Sequence, residues 1–318
     1  MAANSLSGLI LTLLATETAE YLHARSAILS RCRVETRQER DVAQGGNTIN
    51  IPAPMLEMAP SDYSYPTIPF TGQPSYSDIQ SIAIPTISLT FSQHPRTRVE
   101  INQLESRIAA GNFDTILGLA KPGILEGMVR TIDKSLVALY TGLSNTPVGT
   151  AGVDLTDDTI GDGIASLSSQ MVDPTNGDVH FITGDQVYWQ QLRKIPNYTA
   201  AYAMGDNRFI REGDVGNLYG LRVNYSQNIV ATATSPVATN NIMFQKDAFV
   251  IGFLNFEPAK KYAPSAAIDE QIYVDPNTGI AVRAQMYYDN DLQGTIYSVD
   301  CCYGVAVYMA NRGVVVVC

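Results

Sequence analysis

The sequence is poor in charged side chains, which make up 16% of its 318 residues, against about a quarter in ordinary soluble chains. Its 31 acidic and 21 basic residues give a formal net charge of −10, so the chain as a whole lacks the lysine and arginine excess typical of nucleic-acid binding. The 17 tyrosines belong to a residue type enriched at protein interfaces. We infer that much of the surface contacts other protein.

Cysteine, histidine and long apolar runs are also scarce. The four cysteines form no C-x-x-C pair, and the three histidines do not complete a zinc site. We expect reduced, inert thiols at Cys32, Cys301, Cys302 and Cys318, with an intersubunit disulfide as the alternative. No run of apolar residues is long enough to span a membrane. The apolar LILTLLA near the N-terminus lacks the flanks of a signal peptide.

Motifs of catalysis are missing as well. The sequence contains no G-x-S-x-G, H-E-x-x-H or Walker loop. Asp289 and Asp291 could in principle hold a divalent ion, but their place in a turn between two predicted strands favours a backbone role. We therefore expect no catalytic residue, cofactor or metal. A soluble enzyme with an unrecognised carboxylate site remains the alternative.

A glycine-rich stretch, GDVGNLYGLRVNYSQNI at residues 213–229, invites comparison with a phosphate-binding loop. Such a loop must lead into the N-terminus of a helix. Residues 221–226 instead alternate apolar and polar side chains, which is typical of a strand. We predict a structural turn feeding a strand, with the backbone freedom supplied by three glycines, Gly213, Gly216 and Gly220.

The N-terminal part carries a mixed helical pattern over residues 5–30 and then a group of arginines in an otherwise acidic chain. These are Arg31, Arg33, Arg37 and Arg40. The segment is either a solvated arm or an arm that lies on acidic neighbours or faces nucleic acid.

Residues 44–93 differ in character from the rest of the chain. Strand-like patterns begin and end the segment, and the prolines between them exclude a helix or the interior of a sheet. A long excursion without a core of its own favours a segment bound to a partner, with a bare linker as the alternative. Four aromatic residues lie along it: Tyr63, Tyr65, Phe70 and Tyr76.

Two helices stand out. Residues 122–143 carry an apolar stripe at spacings of three and four, with a charged row on another face. A second helix is capped by Thr156, and its apolar stripe runs from Ile160 to Met171. A calcium loop is the alternative for the acids after Thr156, but the D-x-D-x-D-G order is missing. The C-terminal part predicts antiparallel strands, including one long strand over residues 295–309.

This order of elements resembles the major capsid proteins of tailed bacteriophages, which have the Hong Kong 97-like fold. The resemblance covers nearly the whole chain and involves three motifs. The glycine turn and strand from Gly213 to Ser226 is similar to G-x-x-G-x-x-x-G-x-x-V-x-x-S, FQKDAF at 244–249 is similar to a segment ending in Lys/Arg-Asp-Ala-Phe, and YSVDCCYGV at 297–305 is similar to a late strand ending in Tyr/Phe-Gly-Val.

The resemblance implies an α+β (mixed) fold in four parts. These are an N-terminal arm (1–43), an extended loop or β-ribbon (44–93), a peripheral domain (94–144 plus 256–318) with the spine helix 122–143, and an axial domain (145–255). The extended loop would lie over an adjacent subunit. Intersubunit contacts of loop and arm would involve Arg31, Arg33, Arg37, Arg40, Tyr63, Tyr65, Phe70 and Tyr76.

The function that the resemblance implies is self-assembly, as pentamers and hexamers, into an icosahedral shell around double-stranded DNA. The expected partners are copies of the chain, a portal, a separate scaffolding protein since the arm begins at Met1, decoration or cement proteins, and packaged DNA as a loosely contacted neighbour. The location would be the virion, assembled in the host cytoplasm. Residues 41–93 contain no lysine, so we expect no isopeptide crosslink from the loop. A surface-layer or other self-assembling structural protein is the alternative.

Overall fold

The computed structural model describes residues 6–35, 47–52, 86–102, 113–174, 177–195, 217–229, 231, 236–257, 269–291 and 293–318. The α-helices in these ranges are α1 (Leu6–Arg25), α2 (Phe113–Val137) and α3 (Asp157–Ser168). Shorter helical turns are Leu29–Arg31, Ala138–Gly142, Val187–Gln191, which is π-helical, Leu192–Lys194, Lys246–Ala248 and Ala310–Arg312.

The strands are β1 (Arg33–Glu35), β2 (Thr48–Pro52), β3 (Thr86–Thr90), β4 (Arg96–Asn102), β5 (Val148–Gly149), β6 (Val179–Gly184), β7 (Asn217–Leu218), β8 (Leu221–Ser226), β9 (Asn240–Gln245), β10 (Phe249–Leu254), β11 (Asp269–Val274), β12 (Ala281–Asp289), β13 (Gly294–Asp300), β14 (Cys302–Val307) and β15 (Gly313–Val317).

These strands form four sheets. A six-stranded mixed sheet has the order β5-β15-β9-β6-β8-β7, and a four-stranded antiparallel sheet has the order β11-β12-β13-β4. A three-stranded sheet, β1-β10-β14, contains one parallel pair, and β2 and β3 form a separate antiparallel hairpin.

The largest core lies where α1 and α2 pack with the four-stranded sheet, and it includes Leu22, Ile132 and Val282. The helical pattern predicted over residues 5–30 is confirmed as α1, which ends at Arg25. Leu11, Leu14 and Leu22 of this helix are buried, whereas Leu13 is 57% exposed.

The spine helix begins earlier than predicted. The apolar stripe predicts a helix over residues 122–143. The helix instead begins at Phe113, contains Pro122, and passes after Val137 into the 3-10 turn Ala138–Gly142. The predicted stripe is confirmed over its central part, with Met128 and Ile132 fully buried.

A second core lies between α3 and the six-stranded sheet. The predicted cap is present, since the Thr156 hydroxyl accepts a hydrogen bond from the Thr159 amide at 3.3 Å. Ile160 and Leu167 are buried, but Met171 is 67% exposed. The helix ends at Ser168, and Met171 then takes a positive φ of 58°, which turns its side chain out of the predicted stripe.

The predicted single strand over residues 295–309 is interrupted. Its two parts, β13 and β14, belong to different sheets, and buried Cys301 connects them. The six-stranded and three-stranded sheets each combine strands from before and after residue 256. The strand β15 pairs with β9 in the six-stranded sheet, and β10 pairs with β14. Both pairings are non-local, so no pattern within either strand could indicate them.

Candidate assembly surface

The two ends of the extended loop form a hairpin base, defined as strands β2 and β3. These strands pair in antiparallel register from Thr48 with Thr90 to Pro52 with Thr86. The hairpin base packs on strands β10 and β14 through a small apolar cluster that includes Ile49, Ile51, Leu89, Phe91, Val250, Tyr308 and Met309. Both ends of the segment 44–93 are therefore packed on the rest of the chain. Tyr63, Tyr65, Phe70 and Tyr76 lie outside the described residues.

Two glycines make room for the hairpin base. Gly252 of β10 and Gly304 of β14 are cross-strand partners. A Cβ atom on Gly304 would lie 2.4 Å from the Thr90 carbonyl oxygen, and one on Gly252 would lie 2.8 Å from Leu89 Cδ2. Any larger side chain at Gly304 would collide with backbone. Gly304 is the glycine of the sequence motif YSVDCCYGV, so its lack of a side chain has a direct packing reason.

Tyr308 fixes the end of β2. Its hydroxyl donates a hydrogen bond to the Pro52 carbonyl at 2.9 Å and accepts one from Arg33 Nη1 at 3.1 Å. The Arg33 guanidinium also lies 4.5 Å from the centre of the Tyr308 ring, a cation–π distance. Arg33 is further within 4 Å of Glu35 and Asp247. Arg33 thus connects strand β1 to Tyr308 and to the Lys246–Ala248 turn.

Arg31 also binds its own chain. Its guanidinium donates hydrogen bonds to the Ala27 carbonyl at 2.5 Å and to Asn224 Oδ1 at 2.8 Å. Burial lowers the pKa of Arg31, and nearby Asp133 partly opposes this effect. Arg31 therefore connects the segment after α1 to strand β8. Arg37 and Arg40 lie outside the described residues, and an intersubunit role for the four arginines stays a prediction.

Asp133 is a buried carboxylate that the sequence analysis missed, because it lies beside apolar positions on α2. It accepts hydrogen bonds from the Ser26 hydroxyl and, at 3.0 Å, from the Ala27 amide. Burial raises the pKa of Asp133, and these hydrogen bonds act in the opposite direction. The contact joins α2 to the end of α1. A single carboxylate within an apolar stripe was the signal available in the sequence.

A second buried carboxylate, Asp300, ends strand β13. It accepts hydrogen bonds from Arg283 at 3.1 and 2.5 Å and lies 2.7 Å from His94 Nε2. The Arg283 guanidinium is also 3.9 Å from Glu270 and 4.2 Å from the centre of the Phe256 ring. Asp300 is fully buried, and both of its carboxylate oxygens accept hydrogen bonds. The arrangement is that of a structural ion cluster, since a catalytic carboxylate has to reach its substrate.

The predicted glycine turn falls partly within the described residues. Tyr219 and Gly220 have positive φ angles of 51° and 85° and connect β7 to β8, where Leu218 pairs with Leu221. Two positive φ angles in a two-residue connection are typical of a type I′ hairpin turn. Gly213 and Gly216 lie outside the described residues. The strand that follows is β8, as predicted. Its apolar side chains Leu221 and Val223 are buried, whereas Tyr225, the third residue on that side of the alternation, is 41% exposed.

Asp289 ends strand β12, and Asp291 lies in the turn that follows. The Asp291 amide donates a hydrogen bond to Asp289 Oδ1 at 2.9 Å, which forms an Asx turn. No group of three metal-ligating side chains occurs in the part of the chain that the structure describes, and no described helix could cross a membrane. All four cysteines are free thiols. Burial raises the pKa of each, so all stay protonated at neutral pH.

The fold is similar to those of solved phage structures. A structure from Mycobacterium phage Che8 aligns with a TM-score of 0.62 at 17% identity, covering 92% of this chain and 91% of that one. The capsid of the cyanophage P-SCSP1u aligns at 0.58 and 12% identity, covering 90% and 86%. The asymmetric unit of the bacteriophage PhiM1 mature capsid aligns at 0.57 and 13% identity, covering 92% and 86%.

No protein-family model and no curated protein matches the sequence. The likeness is therefore one of structure over nearly the whole chain. The prediction of an α+β fold of the Hong Kong 97-like capsid type is confirmed.

Proposed function

We propose that this chain is the major capsid protein of a tailed bacteriophage, which assembles as pentamers and hexamers into an icosahedral shell around double-stranded DNA. The observation that carries the proposal is the structural likeness over about nine-tenths of the chain to solved phage capsids. The low charged fraction of 16% supports it, because such a chain has too few charges to cover a monomer's surface in the usual way. In this role the protein acts as a structural element and not as an enzyme.

The proposed subunit has four parts, with the arm at 1–43, the extended loop at 44–93, the peripheral domain at 94–144 plus 256–318, and the axial domain at 145–255. The hairpin base, which packs closely over Gly252 and Gly304, supports the assignment of residues 44–93 as an extended loop. A loop held firmly at both ends on its own subunit can present its aromatic residues to an adjacent one. Strand β15 contributes to the sheet of the axial domain, so the chain crosses between the domains near its C-terminus.

The proposed partners are further copies of the chain, a portal, a separate scaffolding protein and decoration or cement proteins. The proposed location is the virion, with assembly in the host cytoplasm. Packaged DNA would be a loosely contacted neighbour, because the net charge of −10 disfavours a broad grip on phosphate groups. Contacts between copies can each be weak, because closure of a symmetric shell adds them together.

Negative-stain microscopy of the purified full chain tests the function directly. We expect shells, tubes or capsomers in neutral buffer, and a stable monomer without any tendency to assemble would contradict the proposal.

Denaturing electrophoresis of assembled particles gives a second measurement. Since residues 41–93 lack lysine, we expect monomer bands, and ladders that resist reducing agent would contradict the absence of a loop crosslink.

The extended loop is tested by replacing Tyr63, Tyr65, Phe70 and Tyr76 together with serine. If these side chains contact an adjacent subunit, the variant should keep the far-ultraviolet circular dichroism of the parent chain but lose assembly. A variant that assembles at the parent concentration would place the loop contacts elsewhere. Lys134→Glu, at an exposed position of α2, serves as the control for a surface change away from the loop.

A further inference from the structure

A polar cavity of about 590 Å³ lies between the end of α1, the middle of α2 and strand β8. Its volume falls within the range of about 300–1,000 Å³ found for ligand sites. Three arginines, Arg25, Arg31 and Arg130, line it together with amide side chains of the segment after β8. None of the proposed domain roles uses this cavity.

The charges of the cavity are not balanced within the subunit. Its two acids are already hydrogen-bonded, Asp133 to Ser26 and Ala27 as described above, and Glu126 to the Tyr21 hydroxyl at 3.2 Å. Arg25 and Arg130 are exposed, and neither has an ion-pair partner among the described residues; Arg25 only lies 5.8 Å from the Tyr21 ring. The three arginines exceed the two acids by one positive charge, and the guanidinium groups of Arg25 and Arg130 can pair with acids of a partner.

Aromatic rings border the same cavity. Tyr188 and Tyr225 line it, with ring centres 5.1 Å apart, and Trp189 packs on both at 5.0 and 5.7 Å. Trp189 is the single tryptophan of the chain and is 39% exposed. It lies on the π-helical turn Val187–Gln191, a type of turn found frequently at functional sites. Arginine, tyrosine and tryptophan are also the residues that dominate binding energy at protein interfaces.

The first turns of α3 offer the complementary chemistry. Asp158 and Asp162 lie four residues apart, so they share one face of the helix. Both are exposed, and neither has an ion-pair partner in the described part of the chain. Gly161 and Ile164 line a shallow depression of about 610 Å³ with them. This surface and the arginine-lined cavity share no residue, so one copy can present the first while a second copy presents the other.

We infer that the cavity binds the acidic face of α3 from a second copy of this chain, with Arg25 and Arg130 pairing to Asp158 and Asp162. The inference rests on the proposed function, since it specifies one contact of the assembly. A contact between two different surfaces of identical subunits is heterologous and generates rings when the rotation closes. In such a contact the exposed rings of Trp189 and Tyr225 would be covered by the second copy, and displacement of water would strengthen the attraction between the charges.

A charge-swap experiment on the full chain tests this contact. Arg25→Glu/Arg130→Glu and Asp158→Lys/Asp162→Lys should each raise the protein concentration needed for assembly by about tenfold, because each places like charges opposite one another. The four substitutions together should restore assembly to within about twofold of the parent chain, because the charge pairs re-form with reversed sign. Lys134→Glu is the matched control, since it reverses a charge on α2 one turn beyond Arg130, outside the cavity.

Light scattering and negative-stain microscopy give the readout, with circular dichroism verifying the fold of each variant. Rescue by the combined variant supports the contact. Two results would overturn it. The first is that the Arg25→Glu/Arg130→Glu variant assembles like the Lys134→Glu control. The second is that the arginine and aspartate variants are each impaired and the combination of all four substitutions does not restore assembly. A parent chain that never assembles would instead refute the proposed function, so the two failures are distinguishable.

Discussion

Replacing Gly304 by alanine should displace the hairpin base from the sheet beneath it. The added methyl group would lie 2.4 Å from the Thr90 carbonyl oxygen and 2.9 Å from the Thr90 carbonyl carbon. Both atoms belong to backbone, so the clash cannot be relieved by rotating a side chain. The strand β3 therefore has to move away from β14 by roughly an ångström to reach ordinary van der Waals contact at about 3.5 Å.

The cost follows from two effects. Inserting a methylene-sized group into well-packed structure costs about 1–3 kcal/mol. The displaced segment also strains the bridge between Gln93 and Tyr303, whose two backbone hydrogen bonds measure 3.1 and 2.9 Å, and each bond contributes about 0.5–1.5 kcal/mol. If both bonds are lost, we expect the free energy of unfolding to fall by about 2–6 kcal/mol in total.

Denaturant unfolding measures this loss, and hydrogen exchange localises it. Faster exchange should be confined to the hairpin base and to Gln93 and Tyr303 if only this contact opens. Gly127→Ala is a matched control, because nothing lies within 4 Å of a Cβ placed there on α2. In a helix interior alanine should add about 0.5–1 kcal/mol of stability. A Gly304→Ala chain as stable as the parent, with unchanged exchange in the hairpin base, would refute the packing argument.

Three further changes test other contacts. Tyr308→Phe removes the hydroxyl that holds Pro52 and should cost about 1–2 kcal/mol in denaturant unfolding; a loss below 0.3 kcal/mol would show that the bond to Pro52 is replaced by water. Gly220→Val forces a β-branched residue to a φ of 85° and should cost about 1–2 kcal/mol, whereas Gly220→Asn should be milder; equal stability of both variants would contradict the turn. Burial lowers the pKa of His180 to about 4 from 6.5, with the charges of Arg31 and Arg222 adding to the effect. The unfolded chain therefore binds the proton first, so stability should fall as the pH decreases from 6.5 to about 4 by up to about 3 kcal/mol, and His180→Gln should remove that part of the pH dependence.

Local rules predicted the elements that depend on neighbours in sequence. The cap at Thr156 and the stripe of α2 follow from side chains three and four residues apart, and both are present. Pro122 misled the prediction, because proline favours a first turn but can also lie further inside a helix at a cost that packing offsets. Here Ile124 and Leu125, which directly follow this part of the helix, are buried, and their packing offsets that cost.

Contacts between distant residues could not be predicted in this way. Asp133 and Asp300 look like surface carboxylates in the sequence, and their partners Ser26 and His94 lie 107 and 206 residues away. Asp133 stands within the apolar stripe of α2, but nothing local identifies the partner of either carboxylate. The placement of β15 in the six-stranded sheet has the same origin, because a run of valines is equally compatible with any buried strand position.

The position of the extended loop illustrates how such contacts bear on function. Its hairpin base is held by Gly304, Tyr303 and Tyr308, which follow the loop by more than 200 residues in sequence. The two ends of the loop therefore depend on the sheet in which β14 pairs with β10. In the proposed shell, every copy would present its loop from the same base. Less conformational entropy would then be lost on assembly, so individually weak contacts between copies would suffice to close the shell.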